Sequence, residues 1–294
     1  MINLSIIKPI FVRELIKKRI VFMAKVTNEQ RVKYQEHIAF YKKKLEELEK
    51  EIKTLKLQVI KESAEIAPYT QVKIAKLQLQ EIGIFCAMNE VSVDFLDVKN
   101  TLFLDKARQF ISDVIINLSK IVTNYLDVPF ADYEKELALL SEMSDNDKYE
   151  LLCQIGYCCD IIKNNFGENS KWKWAFLDTD SRFAILTKNM FDLRRYQKLD
   201  NPMEDGYKIR RAHIALVQKM LIQVSLRYRE KYELSGKEPG DLKRAIDFQC
   251  ALHRIVSVLG DPEKVENSKK QIDVWKILLD KHFADEDAKK KLHK

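Results

Sequence analysis

Between residues 38 and 59 apolar side chains recur in alternating steps of three and four: Ile38, Tyr41, Leu45, Leu48, Ile52, Leu55 and Val59. Most of the positions between them are charged or polar. That period keeps one stripe of a helix facing a partner helix while the two supercoil. Ile38, Leu45, Ile52 and Val59 take the a positions, and Tyr41, Leu48 and Leu55 the d positions. β-Branched residues at a with Leu at d favour a parallel pair. In that register Lys44 faces Glu49 of the partner and Glu51 faces Lys56; such exposed pairs add only about 0.2–1 kcal/mol each and so select orientation more than they stabilise.

The stripe admits two readings. Residues 71–88 carry their own three-four pattern (Val72, Ala75, Leu79, Ile82, Cys86), with Pro68 where the chain would turn, so the seam can close within an antiparallel hairpin. Otherwise it closes against a second chain. Both hold together if the hairpin projects and offers outer residues such as Phe40 and Leu57 to a partner.

The rest of the chain reads as helix almost throughout. Thr27 or Asn28 caps a first helix expected to run to about residue 66, stopping before Pro68 because the residue preceding proline is pushed out of the α region. Alternation at Val91, Val93 and Phe95 leaves room for a short β-hairpin over 91–98. A helix is expected from 100 or 101 to about 125, with Phe103, Ala107, Phe110, Val114, Leu118, Ile121 and Tyr125 on one face. Another begins at Phe130 with Tyr133, Leu137 and Leu140. Ser144, Asp145 and Asn146 cap a helix that Gly167 ends, and Asp178, Asp180 and Ser181 are read as the start of one reaching Leu199. Helices over about 204–234, 241–259 and 263–283 follow, divided by Gly236, Pro239, Gly240 and Gly260.

These patterns predict an all-α protein: an N-terminal coiled-coil helix or helical hairpin followed by a multi-helix bundle. The expected divisions are a basic segment over 1–27, a hairpin arm over 28–99, a bundle over 100–284 and a charged tail over 285–294. Composition agrees. Seven Gly and 6 Pro in 294 residues, against averages of about 7% and 5%, leave few turns and favour long helices.

Net charge is +7, but its placement narrows what it implies. Lys8, Arg13, Lys17, Lys18, Arg19 and Lys25 stand against Glu14 near the N-terminus, and the remainder is close to balanced. Residues 9–22 have the makings of a basic amphipathic helix resting on an anionic membrane surface, while Met23-Ala24-Lys25 looks like an alternative start. No run approaches the about 18–20 apolar residues of a membrane span. Five cysteines (Cys86, Cys153, Cys158, Cys159, Cys250) without a secretion signal point to reduced thiols in the cytoplasm.

Candidate chemistry is sparse. Isolated glycines exclude a phosphate-cradling loop, and neither the cysteines nor the scattered histidines have metal-ligand spacing. No cofactor is expected. The chain therefore reads as a non-catalytic scaffold or adaptor that binds a protein partner, or itself as a homodimer, along the Ile38–Val59 seam. A rival reading is a nucleic-acid-associated protein. It would use Lys171, Trp172, Lys173 and Trp174, which interleave cations and aromatics, with Lys208, Arg210, Arg211, Arg227 and Arg229 on the helix over 208–231. Peripheral membrane attachment through residues 9–22 is a third.

Overall fold

The computed structural model describes residues 26–167 and 170–292, and among them every regular element is helical. The expectations for residues 9–22 and for the start of the chain lie outside the described residues. The helices are α1 (Asn28–Val59), α2 (Ala67–Leu96), α3 (Thr101–Val122), α4 (Glu134–Ala138), α5 (Asp145–Phe166), α6 (Lys173–Asn189), α7 (Leu193–Lys198), α8 (Tyr207–Leu234), α9 (Pro239–Leu259) and α10 (Pro262–Leu292), with a single 3-10 turn at Phe130–Asp132. No described helix is long and apolar enough to cross a membrane.

Local chemistry explains most starts and stops. Thr27 opens α1 with a reciprocal capping box: its Oγ1 accepts the Gln30 N–H at 3.1 Å and its own N–H donates to Gln30 Oε1 at 2.8 Å. Ser144 and Asp147 build the same motif at the head of α5. Gly260 ends α9 in the left-handed region at φ +70°, letting the Asp261 N–H reach back to the Val256 carbonyl.

Five boundaries differ from the pattern-based expectation, one of them at the C-terminal end, where α10 continues to Leu292 instead of ending near residue 283 and carries most of the stretch read as a charged tail. α1 stops at Val59 instead of near residue 66, because Pro68 sits in the first turn of α2 and the reversal needs residues 60–66 for itself. Residues 91–96 are helix, not a β-hairpin. α2 is buried on two sides, by α1 and by α3 with α5, so its apolar positions no longer form the single stripe that separates period 3.6 from period 2. The segment from Phe130 breaks into the 3-10 turn and the short α4. α6 begins at Lys173, which places Asp178, Asp180 and Ser181 inside the helix, and it ends at Asn189, with α7 a separate element.

Packing runs as a succession of layers: α1 on α2, α2 on α3 and α5, these on α6, α6 on α8, α8 on α9, and α9 on α10. Two hydrophobic cores result. The first gathers Leu79, Ile82, Phe85, Ile111, Ile115, Leu151 and Ile155 with Phe183 and Leu186 of α6. The second gathers Val217, Leu221, Leu242, Phe248 and Trp275 with Leu177, Ala184 and Ile185 from other faces of that same helix. Every residue from Phe183 to Phe191 is buried, so the end of α6 is enclosed on all sides. The arm expected over 28–99 is joined to the bundle through α2, which contributes to the first core.

Candidate functional site: the helical hairpin and the basic helix

The seam residues lie at the α1–α2 contact. Ile38, Leu45 and Ile52 are buried, and Tyr41, Leu48, Leu55 and Val59 are half-buried. The pairing is antiparallel: His37 near the start of α1 stacks on Phe95 near the end of α2, with ring centroids 5.4 Å apart. At the turn, the Glu62 carboxylate accepts hydrogen bonds from Gln58 Nε2 at 2.7 Å and Thr70 Oγ1 at 2.9 Å. The Lys44 ammonium lies 4.8 Å over the Phe40 ring.

An acid sits inside this contact. Glu81 of α2 is buried, and burial pushes its carboxyl up to about 7; Glu49 across the interface adds to the rise and Lys56 opposes it. Among the described residues, the opposite side of α1 is exposed. Val32, Phe40, Leu57 and Ile60 occupy b, c and f positions of the same heptad, away from the seam, and Phe40 and Leu57 are 55% and 57% exposed.

The basic and aromatic residues are dispersed by the fold and taken up inside the chain. Trp172 is covered on a face by the Arg108 guanidinium, 4.2 Å from its ring, and abuts Phe166 edge-on. Trp174 packs on the second core with Lys173 Nζ 4.7 Å over its ring. Lys173 in turn pairs with Glu230 at 2.7 Å. Arg210 is buried and forked between Asp145 Oδ2 (3.0 Å), the Asp205 carbonyl (2.8 Å) and the Leu199 carbonyl (2.9 Å). Arg211 donates to the Tyr196 hydroxyl at 2.7 Å, and Arg229 pairs with Glu233 at 2.9 Å. Arg227 pairs with Asp180, which also takes Lys163 at 2.6 Å, so one carboxylate ties α5, α6 and α8. Lys171 and Lys208 stay exposed.

The spacing along α8 gave no sign of the partners of Arg210 and Arg227, because those carboxylates come from α5 and α6; the Arg229–Glu233 pair, four residues apart on α8, is local. Conversely, Lys120, Arg182 and Arg244 line an open cavity of about 570 Å³ with Tyr125. They arrive from α3, α6 and α9, and no local motif announces them. Among the described residues no group of His, Cys, Asp and Glu is arranged to hold a metal ion. The Cys86 and Cys158 thiols lie in the first core, where burial raises them to about 12 and about 11, away from the reactive thiolate form.

A family model matches residues 30–282, from the first turn of α1 to late in α10. The chain belongs to the TP0443 family. No curated protein and no solved structure compared with it matches. In this TP0443-family protein the hairpin, the basic helix and both cores all fall within the matched span.

Proposed function

We propose that this TP0443-family protein is a non-catalytic helical scaffold that receives an amphipathic helix of a protein partner on the outer face of its α1–α2 hairpin. The observation that carries the reading is the one-sided packing of α1. It is 32 residues long, about 48 Å at 1.5 Å per residue, and packs chiefly on α2. Leu45, Leu48, Ile52 and Leu55 hold α2, so the partner contact falls on the outward positions around Phe40 and Leu57. There the apolar residues stand among Lys and Glu side chains suited to setting the direction of an incoming helix. The rival reading finds less support, since Arg210, Arg211, Arg227 and Arg229 already have partners within the chain.

The test is site-specific photo-crosslinking in the native cell, with the reactive group placed in turn at positions 40, 57 and, as a control, the exposed position 258 near the end of α9. One shared protein adduct at 40 and 57, absent at 258, is the expected result. An adduct to a second copy, matched by a dimer mass in light scattering, would replace the foreign helix by self-association. No adduct at 40 and 57, or the same adducts at all three positions, overturns the proposal.

A further inference from the structure

Lys188 is the most deeply buried cation in the second half of α6, only 3% exposed, in the stretch where every neighbour is also buried. Its ammonium lies 4.3 Å over the Tyr133 ring, and no carboxylate of the described residues lies within ion-pair distance of it. It lines a pocket of about 280 Å³ between the 126–133 segment, α7 and α9. The walls are otherwise mainly apolar: Leu126, Val128, Phe130, Leu193, Ile255 and Val258. The two other cations at the pocket are already matched. Arg254 pairs with Asp127 at 2.8 Å and Arg194 with Glu134 at 3.0 Å. Among the described residues the pocket therefore holds one positive group without a counter-charge, backed by hydrocarbon.

A buried ammonium lacking an anionic partner is costly, and the cost is met either by loss of its proton or by arrival of an anion. Lys188 shows the first response: burial lowers it to about 7, a fall that Arg254 deepens and Asp127 opposes. A ligand carboxylate supplies the second. The volume lies just under the about 300–1,000 Å³ of sites for drug-sized ligands, which fits a small molecule. The apolar walls call for a hydrocarbon body, and the single unmatched cation calls for a single negative charge.

We infer that this pocket binds a small apolar monocarboxylate, with the carboxylate on Lys188 Nζ and the hydrocarbon chain between α7 and α9. Binding draws a proton onto Lys188. The other charged and titratable groups facing it are Tyr133, Asp127, Arg254 and the Arg194–Glu134 pair, and burial pushes the Tyr133 hydroxyl up, away from neutral pH. The site is independent of the hairpin, and its failure or success leaves the scaffold reading untouched.

Octanoate and its neutral counterpart 1-octanol are the probes, titrated calorimetrically into the full chain and into Lys188→Met. Methionine keeps the length of the side chain without its charge, so the variant should fold with equal or higher thermal stability, a check made on the same samples. The expected result is octanoate binding that weakens at least about tenfold in Lys188→Met, with octanol changed less than about twofold. In the unsubstituted protein, octanoate affinity should also fall about thirtyfold from about pH 6 to about pH 8.5, as the ammonium near 7 gives up its proton. Equal affinity for octanoate and octanol, octanoate binding that survives Lys188→Met, or no octanoate binding at millimolar concentration overturns the inference.

Discussion

Glu81 and His213 are single side chains whose burial gives stability opposite dependences on pH. Glu81 is held protonated in the fold, its carboxyl raised from 4.5 to about 7. The folded state thus binds a proton that the unfolded chain releases, and stability falls as pH rises from about 4.5 to 7. His213 is neutral in the fold: burial lowers it to about 4, with Nε2 2.9 Å from the Thr187 carbonyl. Its share of stability is present above the unfolded value of 6.5 and is lost as pH falls toward 4. Over the common window the two slopes oppose each other. Glu81→Gln separates them. Its advantage over the unsubstituted protein should grow by about 2–3 kcal/mol between pH 4.5 and 7, read from urea midpoints at each pH; a constant difference would mean the carboxyl is ionised in the fold. The inward position of Glu81 was not legible in the sequence. Glu81 falls in a stretch read as one face of a helix, and only the sandwiching of α2 turns its position inward.

Among the elements, α6 departs furthest from its sequence pattern. Asp178, Asp180 and Ser181 have the composition of a helix start, yet α6 begins at Lys173 and uses them as interior groups. Asp180 takes Lys163 from α5 and Arg227 from α8, and Asp178 accepts the Tyr228 hydroxyl at 3.0 Å. Capping propensity describes a local competition for backbone N–H groups, and ion pairs with residues 17 and 47 positions away outweigh it here. Removing the shared carboxylate leaves Arg227 unmatched and Lys163 with only Asp160 at 3.9 Å, whereas removing one cation leaves a pair intact. Asp180→Ala should therefore cost about 1–3 kcal/mol, discounted for partial exposure of Lys163 and Arg227, and Arg227→Ala less. Urea midpoints check the order, and equal costs would show that Asp180 and Lys163 do not hold together alone. By contrast the caps at Thr27, Ser144 and Gly260 were readable, because those contacts close within a few residues.

At the scale of the molecule, α6 belongs to both cores: Phe183 and Leu186 pack into the first, Leu177, Ala184 and Ile185 into the second. A helix enclosed in this way cannot stay ordered when either core opens, and the two halves should unfold together. Trp172 borders the first core and Trp275 is buried in the second. Variants that retain only one or the other tryptophan, the rest changed to Phe, should give the same fluorescence midpoint in urea, coincident with loss of helix by circular dichroism. Two separated midpoints would make the halves independent units.

The sequence by itself determined the helical class, most helix positions and the stripe from Ile38 to Val59, since periodicity, capping residues and the scarcity of Gly and Pro act over a few neighbouring residues. It left open whether that stripe closes within the chain or between chains. Tertiary structure decided that α2 fills the seam, that Arg210 and Arg227 of α8 meet carboxylates of α5 and α6, and that Lys188 has none among the described residues. Those outcomes depend on which helices lie side by side, and the partners are brought together across long stretches of chain where no local spacing records them.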